Sequence, residues 1–406
     1  MITAERDFVP VILGNDINAY SMARAFYEAY QIKSIVMGKY LTGPNCNSRI
    51  IEYHANKNLD KTETFIQVLN CWAEKFPDKR LLLLGCGDNY VEQIIKNRTR
   101  LKDNIVVPYI EENLMEALLT KESFYQMCDQ QQLLYPQTFI YTREIGNDFV
   151  LPFGFPIILK PSNGINYWQN SFAGQKKVYK LDNRQDLQAV IKQIYQAGYQ
   201  DKLIIQDFIP GDDFHMRALN SFSGKDKKVR LLSLGHVILE EHTPHGLGNA
   251  AVIVNEYNEE LCLQIKSFLE SVGYEGFASF DMKYDPRDGK IKILEINLRQ
   301  GRGSYYVTGA GYNLAKYIAD EYLFDQSVPL QIVKTEVLWT AIPLPVAFMV
   351  IKDKPCRDKM KRLIRSKKVV NPLFLKGDTG FKRAKFLCRW QLSHFYKFLK
   401  HIKNKL

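Results

Sequence analysis

No two of the seven cysteines in this 406-residue chain form a Cys-x-x-Cys pair. They stand far apart, at Cys46, Cys71, Cys86, Cys128, Cys262, Cys356 and Cys388, and their number is odd. That pattern speaks against a zinc ribbon and a disulfide framework, and reduced thiols in a cytoplasmic protein are expected. Long apolar runs are missing too. Val337 to Ile351 is nearly all apolar, but it holds 15 residues and two prolines. About 20 are needed to cross a bilayer as a helix, so a strand followed by a loop is expected. Near the amino terminus, Phe8 to Leu13 is too short for the apolar core of a secretory signal and a glycine follows it, so no leader is expected. Glutamate disappears after Glu336. From Ile351 to Leu406 there are 18 Lys plus Arg against three Asp, whereas the first 350 residues carry 37 basic against 41 acidic side chains. The net charge of +11 therefore belongs to the tail. No nucleic-acid-binding motif accompanies it, and no nucleic-acid partner is expected.

What is present is an ordinary globular composition, 46% hydrophobic and 24% charged, in a chain long enough for two or three domains. Phe8 to Leu13 (FVPVIL) has the pattern of a buried strand. A polar turn, Gly-Asn-Asp-Ile-Asn, leads from it to a helical stretch, and Ser34 begins another strand. Arg80 to Leu84 is a further strand running into Gly85-Cys86-Gly87-Asp88. These repeats predict a Rossmann-like lobe over residues 1 to 115. Asn15, Asp16 and Asn18 either contact a small substrate or cap the first helix.

The most informative stretch is Gly276 to Arg302, GFASFDMKYDPRDGKIKILEINLRQGR. Two β-rich runs flank Asp-Pro-Arg-Asp-Gly, which predicts a hairpin. Symmetry about Asp288 sets Asp281 opposite Glu295, with Asn297 on the same side. Two facing carboxylates need a proton or a cation between them, and hard oxygen ligands with an amide suit Mg²⁺. A solvated surface hairpin has the same composition. Upstream, a helix beginning at Thr120 carries Lys121. The strand FPIILK ends at Lys160-Pro161, and a Gly-, Ser- and Lys-containing loop through Lys176-Lys177 is either a phosphate-covering lid or a plain exposed loop. LIIQDFI forms a strand ending at Pro210-Gly211-Asp212-Asp213. Arg230 to Leu234 and His236 to Glu240 are predicted as two strands. The loop after them, with His242 and His245, is available to substrate or phosphate, and two loop histidines alone do not make a metal site.

Taken in order, Lys121, Leu159-Lys160-Pro161, the Gly-containing loop, QDFIPGDD, ASFDMKYD and LEINLRQG resemble the ATP-grasp superfamily over about residues 115 to 320. The resemblance implies an α/β fold with α+β lobes: a Rossmann-like pre-ATP-grasp domain (1–115), a central lid subdomain (116–205), a carboxyl-terminal catalytic subdomain (206–335) and a basic, helical extension (336–406). It implies that Lys121, Lys160 and Lys176 hold ATP phosphates. Gln206 stands where the family commonly has Glu; it, Asp207 and Ile209 would meet the adenine, and Asp213 the ribose. Asp281, Glu295 and Asn297 match the ligands of two Mg²⁺ ions. Arg299 matches the basic residue that meets the acceptor carboxylate or its phosphate, and Arg302 is placed for a second carboxylate. Where the D-alanine ligase branch carries arginine two residues before the first metal aspartate, this chain has Ser279. The implied activity is ATP-dependent carboxylate–amine ligation through an acyl phosphate, with another amino-acid or peptide ligase, a phosphotransferase or a carboxylase as alternatives on the same fold. The opening FVPVILGNDINAYSMARAFYEAY with the closing LEINLRQGRGSYYVTGAG resembles the D-aspartate ligases of Gram-positive bacteria, which implies an amino-acid substrate and a peptidoglycan precursor as partners.

In the tail, Phe381, Ala384, Cys388, Leu392, Phe395, Leu399 and Ile402 fall on one helical face among lysines and arginines. Such a helix either lies on an anionic membrane surface, making the protein peripheral there, or packs on the body.

Overall fold

The structure, a computed structural model, describes residues 7–41, 43–243, 246 and 248–401. His245 and Ile402 lie outside the described residues. Phe8–Leu13 is buried almost throughout, as a run of Phe, Val, Ile and Leu without polar alternation requires. It pairs in parallel with Ser34–Gly38 on one side and Arg80–Gly85 on the other. Ile51–Ala55 and Ile105–Val106 complete a five-stranded parallel sheet at its two edges. Chain order reverses between Phe8–Leu13 and Arg80–Gly85, so the loops after these two strands form the crevice where open α/β sheets take ligands. Asp16 lies in one loop and Asp88 just after the other. Helix Ile17–Tyr30 starts at Asp16, whose carboxylate accepts from the Asn18 and Ala19 N–H groups.

A second, four-stranded antiparallel sheet runs in the order Thr138–Tyr141, Leu203–Asp207, Ile157–Pro161, Tyr179–Leu181. It ends at Asp207, two residues past the expected division at 205. The loop expected between Lys160 and Val178 contains a short helix, Gly164–Gln169. The third sheet, of eight strands, places Lys290–Asn297 at one edge, followed by Gly276–Asp285, Met216–Ser223, Val229–Glu240, Ala250–Glu256, Leu338–Thr340 and Val369–Val370, with Gln331–Ile332 beside Val229–Glu240. The two strands expected over 230–240 are one continuous strand of 12 residues. Gly235 lies within it, where Tyr306 and the Ile253 side chain leave no room for a Cβ.

Beyond 336 the chain does not hang free. Leu338–Thr340 joins the large sheet, and the expected loop after it is a helix, Leu344–Val350, with proline in its first turn where a missing N–H costs nothing. The tail helix, Phe381–His401, buries Arg383, Leu387, His394 and Phe398 against the body. The face expected to be apolar is largely in solvent: Phe381 is 85% exposed and Leu392 and Leu399 are each 60% exposed. Leu387 and Phe398 pack into the core, and beside them a buried ion pair holds the start of the helix. Arg383 Nε lies 3.0 Å from Asp378 Oδ2, with both side chains 0% exposed. Asp378 also accepts from Tyr20 Oη (2.6 Å), Ser48 Oγ (2.9 Å) and the Arg49 N–H (2.6 Å), while Arg383 donates to the carbonyls of Pro44 and Cys46. Among the described residues no helix is long and apolar enough to cross a membrane.

Breaking that pair strands a buried charge. Asp378→Ala is expected to destabilise the fold by about 3 to 5 kcal/mol, measured by urea unfolding, with part of the loss recovered in Asp378→Ala/Arg383→Met. A loss below about 1 kcal/mol would count against the lock.

Candidate functional site

The hairpin Gly276–Asp285/Lys290–Asn297 has Asp281 opposite Glu295 and Ser279 opposite Asn297. Toward the turn the register shifts by one, leaving Leu294 as the extra residue of a bulge. The bulge is a docking point. Its Leu294 carbonyl accepts from Tyr125 Oη (3.1 Å), and the Ile293 N–H donates to the Leu134 carbonyl (2.8 Å). Helix Lys121–Gln130 is thereby held against the hairpin, and its first residue reaches the acids: Lys121 Nζ lies 3.0 Å from Glu295 Oε2. Asn297 Nδ2 donates to Asp281 Oδ2 at 3.1 Å.

The charges in this patch set one another's protonation. Lys121 holds the Glu295 carboxyl well below its usual range, with Lys160 and Lys177 adding to the effect. Burial, then the charge of Glu295, pushes Asp281 up. Lys160, at the end of Ile157–Pro161, has no hydrogen-bond or ion-pair partner among the described residues. Burial and the neighbouring Lys121 bring its ammonium down to about 7. Glu240 is raised to about 7 by burial and by Asp213 and Asp281. The cleft thus holds a cation without a counter-ion beside acids without enough cations, and a metal–phosphate ligand satisfies both. Two facing carboxylates and an amide are a hard-oxygen donor set that fits Mg²⁺. Among the described residues no group of three or more His, Cys, Asp or Glu gathers as a metal cluster.

Other residues singled out from the sequence lie as follows. Gln206 is buried and donates to Tyr125 Oη and Thr138 Oγ1, both at 2.8 Å. The Asp207 N–H donates to Gln137, while its carboxylate pairs with Arg287, which also grips the buried Asp285. Hinge and hairpin turn are thus clamped by one guanidinium. Ile209 is buried. Asp213 Oδ2 accepts from the Glu240 N–H (3.1 Å) and faces His242 Nε2 (2.7 Å). Lys176 is exposed, and it is the adjacent Lys177 whose charge reaches Lys160 and Glu295. Asn18 is fully buried; its Nδ2 donates to the Cys86 and Gln300 carbonyls, joining the crevice to the loop after the hairpin.

That loop carries the two arginines. Arg299 Nε and Nη2 donate to the two oxygens of Asp88 (2.7 and 3.0 Å), and Arg302 Nη2 donates to Glu241 Oε1 (2.9 Å). Asp88 and Glu241 escaped sequence reasoning because nothing local marks an acid as the partner of an arginine far along the chain. Asp88, directly after the glycines of its loop, had the better signal.

No family model matches the chain. An L-amino acid ligase from Bacillus licheniformis superposes with a TM-score of 0.55 at 17% identity, covering 80% of this chain and 75% of that one. N5-carboxyaminoimidazole synthetase from Staphylococcus aureus, complexed with ADP, gives 0.58 at 15% identity and 81% coverage of each. The biotin carboxylase domain of Hydrogenobacter thermophilus 2-oxoglutarate carboxylase, in complex with MgADP, gives 0.60 at 13% identity, covering 80% and 72%. The fold is the ATP-grasp fold. A D-aspartate ligase of Enterococcus faecium (strain Aus0004) is 37% identical over 413 residues, 98% of each chain, so the protein is an ATP-dependent carboxylate–amine ligase, and the chain belongs to the D-aspartate ligase family.

The acid pair gives a direct test. With its folded value raised, Asp281 contributes stability that is full below its unfolded value near 3.9 and is lost as pH rises through the folded value. Glu295→Gln removes the facing charge and frees Lys121, so Asp281 should titrate at lower pH and that loss should shrink. Carboxyl ¹³C NMR titration of both proteins reads the shift, and an unmoved Asp281 would show the two acids to be uncoupled.

Proposed function

We propose that the enzyme activates the β-carboxyl of D-aspartate with ATP and joins it to the ε-amino group of the lysine in a peptidoglycan stem peptide. The observation that carries this is the pair Arg299 and Arg302 beside the acid hairpin. Each guanidinium rests on a carboxylate of this chain, and the partner of Arg299, Asp88, is largely exposed, so an incoming carboxylate can replace it. Two such positions suit a substrate with two carboxylates.

In this reading Lys121, Lys160 and Lys176 meet the phosphates. Gln206 and the backbone of Asp207 and Ile209 meet the adenine, and Asp213 the ribose. Asp281, Glu295 and Asn297 hold two Mg²⁺ ions, whose charge offsets that building on the phosphoryl oxygens. Arg302 takes one substrate carboxylate, and Arg299 orients the carboxylate that reacts. That carboxylate attacks the γ-phosphorus as the bond to ADP breaks. The lysine amine then attacks the acyl carbon, inorganic phosphate leaves, and the nitrogen gives up a proton, forming the amide. The chain divides for this task at 1–115, 116–205, 206–335 and 336–406.

Phosphate release that requires both D-aspartate and UDP-MurNAc-pentapeptide is the expected result. Lys160→Met should raise the ATP requirement roughly tenfold to a hundredfold, the value of one charge-assisted contact. Release without acceptor would favour a phosphotransferase or carboxylase, and an unchanged ATP requirement would remove Lys160 from the site.

The same reading places the enzyme in the cytoplasm, peripheral at the membrane's anionic inner face. Phe381, Leu392, Tyr396 and Leu399 are exposed along the tail helix, among Lys382, Lys385, Arg389 and Lys400, and the helix contains no acidic residue. Sedimentation with anionic vesicles should be strong at low salt, weak at high salt, and reduced in Leu392→Gln/Leu399→Gln, whose sites are not packed. Binding indifferent to salt and lipid charge would refute it.

A further inference from the structure

Three acids surround the two arginines, and one of them is spent differently from the others. Asp88 and Glu241 each hydrogen-bond a guanidinium. Asp16 gives one oxygen, Oδ1, to the N–H groups of Asn18 and Ala19, while Oδ2 stands 4.0 Å from Arg302 Nε, outside hydrogen-bond range. Capping a helix needs no charge, since Asn or Ser serves as well as Asp. Its surroundings raise the pKa of Asp16 despite the opposing charges of Arg302 and Arg299, yet the side chain keeps 40% exposure, so the carboxylate is open to a ligand. It also sits at the crevice where the order of the parallel sheet reverses.

Two further acceptors in this junction lack donors. Asn18 Oδ1 and Gln300 Oε1 have no hydrogen-bond partner among the described residues, although Asn18 is 0% and Gln300 1% exposed. Buried acceptors of this kind are costly unless a ligand supplies the protons. A metal ion fits poorly, because the two arginines repel it. An ammonium group fits when it arrives on a molecule whose own carboxylates neutralise those arginines.

The geometry points to Asp16, through its Oδ2, as the anchor of the substrate's α-ammonium group, beside the unfilled acceptors Asn18 Oδ1 and Gln300 Oε1. This rests on the amino-acid substrate proposed above. With Arg302 and Arg299 taking the two carboxylates, three contacts on one small molecule fix which carboxyl faces Asp281 and Glu295. Asp16 is in this account a specificity-determining residue, distinct from the groups that meet the phosphates.

The test compares full-length wild type with Asp16→Asn, which keeps the cap and loses the charge. For each, kcat/KM is measured with D-aspartate and with succinate, which lacks only the amino group, using Mg-ATP and UDP-MurNAc-pentapeptide. Calorimetric binding of both acids in the presence of MgADP runs alongside. The wild-type preference for D-aspartate over succinate should fall about tenfold or more in the variant, mainly through KM and Kd. A preference unchanged within about twofold, even if both rates drop, overturns the proposal and leaves Asp16 a cap. Should Asp16→Asn not fold, Asp16→Ser poses the same question. If wild type ignores D-aspartate, the amino acid it does use and its des-amino analogue replace the pair, so failure of the substrate assignment and failure of the anchor are read separately.

Discussion

Two carboxylates facing each other across a strand pair repel by about 4 kcal/mol at 4 Å and an effective dielectric of 20, a large share of the 5 to 15 kcal/mol that stabilises a typical domain. Asp281 and Glu295 are therefore tenable only because other elements come to them. Lys121 arrives on a helix pinned to the bulge at Leu294, and Asn297, on the strand of Glu295, steadies Asp281 across the pair. The cleft is left poised: Glu295 is held ionised by Lys121, Asp281 is pushed toward its acid form, and the Lys160 ammonium, brought down to about 7, has no hydrogen-bond or ion-pair partner among the described residues. A ligand bringing both metal and phosphate relieves all of these at once.

The same economy governs the other end of the cleft. Arg299 and Arg302 are satisfied by Asp88 and Glu241, so neither is an uncompensated buried charge. Arg287 does the equivalent for the scaffold, joining Asp207 of the four-stranded sheet to Asp285 at the hairpin turn. Charged side chains here join sheets that are distant in sequence, while the apolar residues fill the space within each layer.

How much of this was legible follows from how local each feature is. The pairing of Asp281 with Glu295 could be read because a turn cluster fixes hairpin register within 20 residues. The bulge could not, because the side chain that docks on it, Tyr125, is 169 residues away from Leu294. Asp88 and Arg299 are 211 residues apart, and composition carries no trace of their pairing. Lys176 and Lys177 are neighbours, and only the path of the loop decides whose charge reaches Lys160. Gly235 has the appearance of a break between two strands, but tertiary packing overrides local preference there. The tail's helical character was evident from its spacing. Its buried face was not, because that face is anchored by an arginine, the residue type that patterning assigns to solvent.

That anchor has a consequence for how the molecule is made. Asp378 accepts from the backbone of Arg49, 329 residues earlier, and Arg383 bonds the carbonyls of Pro44 and Cys46. At about 5 to 20 residues per second, a ribosome needs roughly 16 to 66 s to travel that distance. For that interval Tyr20 and the 43–49 loop stay unsealed, because the segment that closes them has yet to be synthesised. The first lobe thus waits on a partner made 329 residues later, and a chain that stops before Asp378 leaves it open.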